Sequence, residues 1–430
     1  MTETKPFSIS KALVREAWQR VKANKGSAGI DGQTIERFES DLSRNLYRIW
    51  NRMSSGSYFP PAVKAVPIPK KTGGERVLGV PTVGDRIAQT AVTLLLEPEL
   101  ESVFHEDSYG YRRGKSAHDA LAVTRTRCWE RDWVLEYDIR GLFDNIDHDL
   151  LLKALRHHCD ERWVLLLVER WLTAPMQGAD GKQDPRSVGT PQGGPLSPVL
   201  ANLFLHYALD RWLATHHPSV PFCRYADDGI LHCQSRAEAD EMRKHLDARL
   251  RQVGLELHPE KTRVVYCKDV RRPGRAEHET FDFLGYTFRP RTARNRYGRL
   301  FTTFTPAISR SALSSIRQTV RGWRLHLKSH TSLAALANQI APAVRGWIGY
   351  YGRFRPSELQ KVASHLDRVL IRWAMRKYKR LRAHRRRASA GACTTGRETG
   401  RRLRGHGGGM TSSRSSRLRR ARPLVPAPGS

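Results

Sequence analysis

Acidic residues are scarce in this sequence. Its 430 residues include 42 Asp and Glu against 74 Lys and Arg, a formal net charge of +32. An excess of this size repels itself unless a polyanion is present. Arginine outnumbers lysine, and its planar fork matches phosphate oxygens, which makes nucleic acid the expected partner. Cysteine is also sparse: six residues at 128, 159, 223, 233, 267 and 393, with no Cys-x-x-Cys pair. That spacing excludes a zinc ribbon and a disulfide framework, and the thiols read as reduced and packed. The seventeen histidines, His157-His158 and His216-His217 among them, form no ligand constellation, so zinc is not expected.

Long apolar runs are absent too. The longest, near Trp163 to Leu172, is broken by Glu169 and Arg170, short of the ~18 residues of a membrane span. Residues Met1 to Ser10 are polar and carry no signal-peptide core. A cytoplasmic protein with no membrane partner is expected; nothing in these features sets its oligomeric state. What is present is enough apolar material, 39% of residues, to bury two or three cores in a chain of this length.

Residues 1–62 read as a basic helical extension and the start of a fingers region, with Leu13, Ala17 and Val21 at helix spacing and a second helix from about Thr34 to Met53. Residues 63–290 alternate strands and helices. Val63 to Ile68 and Arg76 to Val80 flank Lys70-Lys-Thr-Gly-Gly-Glu75 and predict a β-hairpin. Trp133 to Ile139 predicts a strand; His148 to Arg156, Arg162 to Leu172, Pro195 to Leu213 and Ala237 to Val253 predict helices. The succession predicts an α+β chain with a split β-α-β sheet. From residue 291 to 385 helices carrying Trp323, Trp347, Tyr350, Tyr351 and Trp373 predominate, and strands stop near Pro306. Residues 386–430 are Arg, Gly and Ser rich and predict a disordered basic tail.

The chemistry is concentrated in three carboxylates. Asp227 and Asp228 occupy a turn between two apolar half-strands, and Asp138 ends another apolar strand. An isolated Asp-Asp turn is ordinarily just solvated. Neighbouring strands of one sheet could bring all three together, where hard oxygen ligands suit Mg²⁺ and a pair of such ions suits phosphoryl transfer.

Four segments then carry a resemblance. They are Leu135-Glu-Tyr-Asp-Ile-Arg-Gly-Leu-Phe-Asp-Asn-Ile-Asp-His148, Gly189-Thr-Pro-Gln-Gly-Gly-Pro-Leu-Ser-Pro198, Arg224-Tyr-Ala-Asp-Asp228 and Phe283-Leu-Gly-Tyr286. In this order they resemble the polymerase motifs of group II intron-encoded reverse transcriptases. The resemblance spans about Lys25 to Arg382 and implies a right-hand polymerase, with fingers, a palm and a helical thumb and maturase domain. It implies that Asp138, Asp227 and Asp228 bind two Mg²⁺ ions, and that Phe143 is a steric gate against the ribose 2′-hydroxyl. Lys70 and Arg76 would hold the incoming dNTP triphosphate, Gln192 would support the nascent base pair, and Lys261 would protonate departing pyrophosphate. Phe283, Leu284, Gly285 and Tyr286 would grip the primer end. Gly346-Trp-Ile-Gly-Tyr-Tyr-Gly-Arg-Phe354 resembles the maturase segment, so Arg345, Trp347, Tyr350, Tyr351, Arg353 and Arg355 are expected RNA contacts; packing of these aromatics in a helical core is the competing reading.

The implied activity is RNA-directed DNA synthesis from a DNA primer on an RNA template, with binding of group II intron RNA to assist splicing and mobility. A non-catalytic RNA-binding splicing cofactor is the alternative. It needs the basic surface but not the three carboxylates.

Overall fold

The computed structural model describes residues 5–69 and 74–381. The basic N-terminal segment folds as helices α1 (Lys11–Asn24), α2 (Ile35–Glu39) and α3 (Leu42–Ser54). Ser10 starts α1 by accepting the Ala12 N–H, and the helix buries Val14, Ala17, Trp18 and Val21, a stripe at helical spacing. The one helix expected from Thr34 to Met53 is two. Asp41 leaves helical geometry at φ −130°, and the Asn45 side chain donates to the Phe38 carbonyl at 2.9 Å, so short polar side chains take over the backbone groups at the break.

Strands β1 (Val63–Pro69) and β2 (Glu75–Val80) form the expected antiparallel hairpin. Helix α4 (Val83–Val103) follows, capped by Thr82, and α5 (Ala117–Glu130) opens with a Ser116/Asp119 capping box. Next come β3 (Trp133–Asp138), α6 (Leu142–Asn145), α7 (His148–Arg156), α8 (Arg162–Thr173), β4 (Met176–Gln177) and β5 (Gln183–Asp184). The expected helix from Pro195 to Leu213 is α9 (Ser197–Leu205), a widened turn over His206–Asp210, and α10 (Arg211–His216). The chain continues through β6 (Phe222–Tyr225), β7 (Asp228–Cys233), α11 (Arg236–Gln252), β8 (Arg263–Tyr266), β9 (Phe281–Phe283), β10 (Tyr286–Arg294) and β11 (Leu300–Ile308). Helices α12 (Arg310–Gly322), α13 (Leu333–Tyr351) and α14 (Gln360–Lys377) complete the described elements.

Three sheets result among the described residues, ordered β2-β1-β4-β5, β6-β7-β3-β8 and β11-β10-β9. In the second, β3 lies between β7 and β8 and is antiparallel to both, while α11 connects them. This is the split β-α-β unit expected from the sequence. The same core runs beneath the N-terminal helices and this sheet, from Ile9 to Leu255, and α9 is buried at nearly every position.

The described residues form two compact units, one within 5–312 together with 353–355, the other 313–352 with 356–381. Strand β10 runs through residue 290 and pairs along its whole length with β11, so the purely helical part begins only at Arg310. Cys128, Cys159, Cys223, Cys233 and Cys267 are free and buried. No described helix is long and apolar enough to cross a membrane. The expected tail from residue 386 lies outside the described residues.

Candidate active site

Asp138 ends β3 directly opposite Asp228, the first residue of β7, in antiparallel register. Asp227 occupies the two-residue turn from β6 to β7 with Ala226, whose φ is +58°, and its carbonyl accepts the Ile139 N–H at 3.1 Å. Strand pairing therefore brings the three acids to one sheet end, as the sequence predicts. The carboxylates feel one another. Burial, then the charge of Asp227 and the hydrogen bond and charge of Asp138, push Asp228 up to about 8, against the pull of Lys261. Asp227 is raised by burial and by Asp138.

Lys261 is part of this cluster: its Nζ lies 2.8 Å from Asp138 Oδ2. Burial disfavours its charge, but the hydrogen bond and charge of Asp138 outweigh burial and raise its pKa. A lysine following a Pro turn reads as solvated; here the His258 N–H bonds the Asp138 carbonyl at 2.8 Å and ties that turn to the end of β3.

A cleft of about 270 Å³ is lined by Asp138, Asp228, Lys261, Arg263, Asp282 and Phe283 among others. Leu284 and Gly285 form the turn from β9 to β10 with φ of +50° and +77°, so both central residues are left-handed as a tight hairpin of this type requires. Phe283 and Tyr286 flank it and are buried. Tyr286 meets Phe354 edge-on at 5.5 Å.

Phe143, in α6, is half-buried at the edge of the core and faces Tyr111 edge-on at 6.5 Å. Its carbonyl accepts the Thr190 N–H at 2.7 Å. The loop carrying Gln192 thus braces the Phe143 backbone. The same loop docks on β2, where the Gly79 N–H donates to the Gln192 carbonyl at 2.7 Å. A Cβ at Gly193 would lie 2.5 Å from the Gly79 carbonyl oxygen, so the close approach of loop to strand explains the glycine. The Gln192 side chain is half-buried, and its fixed contact is through the backbone. Arg76 is exposed on β2. Lys70 lies outside the described residues.

Sequence reasoning missed two groups. Tyr111, at φ +57°, is raised by burial and by the charges of Asp227 and Tyr225, and is lowered by Arg76. It therefore stands in electrostatic reach of both Arg76 and the Asp227 turn. Arg224, adjoining the turn, is wholly buried and donates to Asp210, to Ser108 Oγ at 2.7 Å, to Asn202 Oδ1 at 3.1 Å and to the Ala226 carbonyl at 3.2 Å. The only advance signal was a charged residue inside an otherwise apolar strand.

The expected RNA contacts divide. Arg345 is exposed on α13, Trp347 stacks on Trp323 at 5.5 Å, and Tyr350 meets Tyr351 edge-on at 4.8 Å. Arg353 is exposed, whereas Arg355 donates to the Thr292 carbonyl at 3.0 Å in the first unit.

Residues 68–288 match the sequence family described as "Reverse transcriptase (RNA-dependent DNA polymerase)", and residues 313–391 match "Group II intron, maturase-specific domain". The chain is a group II intron reverse transcriptase. Protein YkfC of Escherichia coli (strain K12) is 31% identical over 364 residues, covering 74% of this chain and 90% of that protein. Group II intron-encoded protein LtrA of Lactococcus lactis subsp. cremoris is 34% identical over 200 residues, 46% of this chain and 33% of LtrA. The putative COX1/OXI3 intron 1 protein of Saccharomyces cerevisiae is 28% identical over 197 residues, 46% of this chain and 23% of that protein. The fold is accordingly the right-hand polymerase, the enzyme is an RNA-directed DNA polymerase, and RNA is its template. The reading as a binding cofactor alone gives way to an enzyme.

This family depends on divalent metal, and the donor set here fits one. Among the described residues no group of three or more His, Cys, Asp or Glu is arranged as a ready metal cage. Mg²⁺ does not need one, because it characteristically takes one or two carboxylates and completes its shell with water and substrate phosphates. Two acids opposed across a ladder, with a third on the adjoining turn, meet that requirement.

Proposed function

We propose that this group II intron reverse transcriptase extends a DNA primer on an RNA template with two Mg²⁺ ions held by Asp138 and Asp227, with Asp228 beside them. The supporting observation is the Asp138/Asp228 register with Asp227 on the adjoining turn. Bound ions would lower the pKa of the primer 3′-hydroxyl and stabilise the leaving oxygen. Asp138 holds Lys261 as a charged ammonium 2.8 Å away, the form able to donate a proton to departing pyrophosphate. Phe143 and Tyr111 border the sugar of the incoming dNTP, Arg76 with Lys70 binds its triphosphate, and Gln192 backs the new pair through its loop. Phe283 to Tyr286 hold the primer end.

The intron's own RNA is proposed as the second partner, bound through Arg345, Tyr350, Tyr351 and Arg353 to help it fold for splicing. A cytoplasmic setting is proposed from the sequence. Primer extension on matched RNA and DNA templates by wild type and Asp227→Ala tests the polymerase reading. Extension by wild type and its loss in the variant are expected. Equal extension by both would remove Asp227 from the metal site.

A further inference from the structure

Strands β10 and β11 lead away from the primer-grip turn as a long arm. Between Tyr286 and Ile308 it carries five arginines, at 289, 291, 294, 296 and 299, and no Asp or Glu. Nine residue pairs join the strands, from Tyr286 with Ile308 to Arg294 with Leu300. At ~3.3 Å per residue the arm is about 26 Å long.

Its two ends differ in kind. The base is a packed aromatic cluster: Phe281 stacks on Phe288 at 4.6 Å and lies 6.0 Å from Phe304, whose carbonyl accepts the Trp129 indole N–H at 2.7 Å. Every residue from Arg294 to Phe301 is exposed. That run includes Tyr297 at 72% and Leu300 at 67%. A contiguous apolar and aromatic group held in water, ringed by arginines, adds nothing to the core and marks a contact surface.

The tip is also pre-shaped. The Gly298 N–H donates to the Asn295 carbonyl at 3.0 Å, and the Asn295 N–H donates to the Arg299 carbonyl at 2.9 Å. The Asn295 side-chain oxygen accepts the N–H groups of Tyr297 at 2.9 Å and Arg299 at 3.0 Å. With Asn first, Gly fourth and Gly298 at φ +81°, this is a β-turn whose residue types match its geometry. The Arg296 guanidinium lies 4.7 Å from the Tyr297 ring centroid. A tip that is already ordered loses little entropy on binding.

We propose that this hairpin tip is an RNA-binding site in which Tyr297 stacks on an unpaired base while Arg294, Arg296 and Arg299 contact the neighbouring phosphates. The choice of RNA with unpaired bases follows from the chemistry. Three exposed arginines at the tip, Arg294, Arg296 and Arg299, call for phosphate. A projecting ring beside a guanidinium offers a stacking platform, which a paired duplex, with its bases already stacked, does not use. The inference deepens the proposed RNA partnership and rests on it; the arm serves RNA beyond the copying site.

The test is fluorescence anisotropy on the full chain with two probes, an RNA stem-loop and a blunt RNA duplex of the same stem. Tyr297→Ala is expected to weaken stem-loop binding about tenfold and to leave duplex binding within about twofold. Arg296→Ala with Arg299→Ala is expected to weaken both and to reduce the salt slope of stem-loop binding by roughly one to two. Extension of a short DNA primer on an RNA template by both variants at the wild-type rate shows that the fold and the palm are intact. Stem-loop binding unchanged by Tyr297→Ala, or lost in equal measure with duplex binding, overturns the proposal while leaving the RNA partnership standing. Wild type that binds neither probe removes the partnership and this site with it.

Discussion

Arg224 and Asp210 form a two-pronged ion pair from which solvent is wholly excluded, with Nε to Oδ1 at 2.7 Å and Nη2 to Oδ2 at 2.5 Å. Burying two charges costs more than their attraction returns unless the remaining donors are also satisfied. Ser108, Asn202 and the Ala226 carbonyl satisfy them here. Ala226 directly precedes Asp227, so the pair fixes the turn that presents Asp227 and Asp228. A Cβ on Gly110 would lie 2.5 Å from the Ala226 nitrogen, so the turn is clamped from a second side.

Removing one partner separates stability from positioning. Arg224→Ala leaves Asp210 buried and unpaired, and should cost roughly 3–5 kcal/mol in urea unfolding. Asp210→Ala combined with Arg224→Ala should recover part of that loss, because no lone charge remains. Extension activity should stay low in the double variant, since the Ala226 carbonyl still lacks its donor. Recovery of activity in step with stability would reduce Arg224 to a purely structural role.

The raised Asp228 carboxyl gives metal binding a pH dependence of definite sign. With its pKa pushed up to about 8 by burial and by Asp227 and Asp138, the group is mostly protonated at neutral pH and must release that proton to ligate a cation. Mn²⁺ affinity, measured by calorimetry, should therefore rise with pH up to about 8, with proton uptake by the buffer visible near pH 7. Asp228→Asn should remove the proton release. Identical release from wild type and the variant would show that another group carries it.

Asp85 gives a stability signature away from the site. Its carboxylate is buried and accepts from Tyr58 at 2.9 Å, Trp171 at 2.7 Å and Gln89 at 2.9 Å, with no ion pair to it among the described residues. Burial raises it from 3.8 to about 6 despite those donors. Between these values the folded chain holds a proton that the unfolded chain has released, so its stabilising contribution is complete below about 3.8 and is lost as pH rises through about 6. The change is on the order of 3 kcal/mol. Asp85→Asn cannot titrate, and its unfolding free energy measured from pH 4 to 7 should fall less steeply than that of wild type. Parallel slopes would mean that Asp85 is ionised in the folded chain.

Legibility followed the range of the interaction. The acids at 138, 227 and 228 were readable because each ends or joins an apolar strand, and β-pairing then has few registers to choose from. The hairpin turn at Leu284-Gly285 came only through the resemblance, since no strand pattern around it had been read. Arg224 was not, because its partners lie 14, 22 and 116 residues away and no local pattern announces a buried guanidinium. Tyr111 was hidden by a left-handed backbone that its residue type disfavours. The break at Asp41 was overridden by periodicity that continues across it. In the maturase-like segment Arg355 donates to the Thr292 carbonyl, a tertiary contact that spacing does not encode.

Sugar selection tests the least direct of the site assignments. The Phe143 backbone is anchored through its carbonyl, which accepts the Thr190 N–H at 2.7 Å, and its ring meets Tyr111 edge-on at 6.5 Å. A gate of the kind proposed for Phe143 would exclude a 2′-hydroxyl by contact rather than by attraction, so shortening the side chain should admit ribonucleotides with little loss in the use of deoxynucleotides. Phe143→Ala is therefore expected to raise the ratio of ribonucleotide to deoxynucleotide kcat/KM by tenfold or more, about 1.4 kcal/mol or greater in transition-state discrimination. Tyr111→Ala removes one wall and should shift the ratio in the same direction by less. Single-nucleotide incorporation kinetics with matched dNTP and rNTP read both effects, and sugar discrimination unchanged in Phe143→Ala would move the gate to another residue.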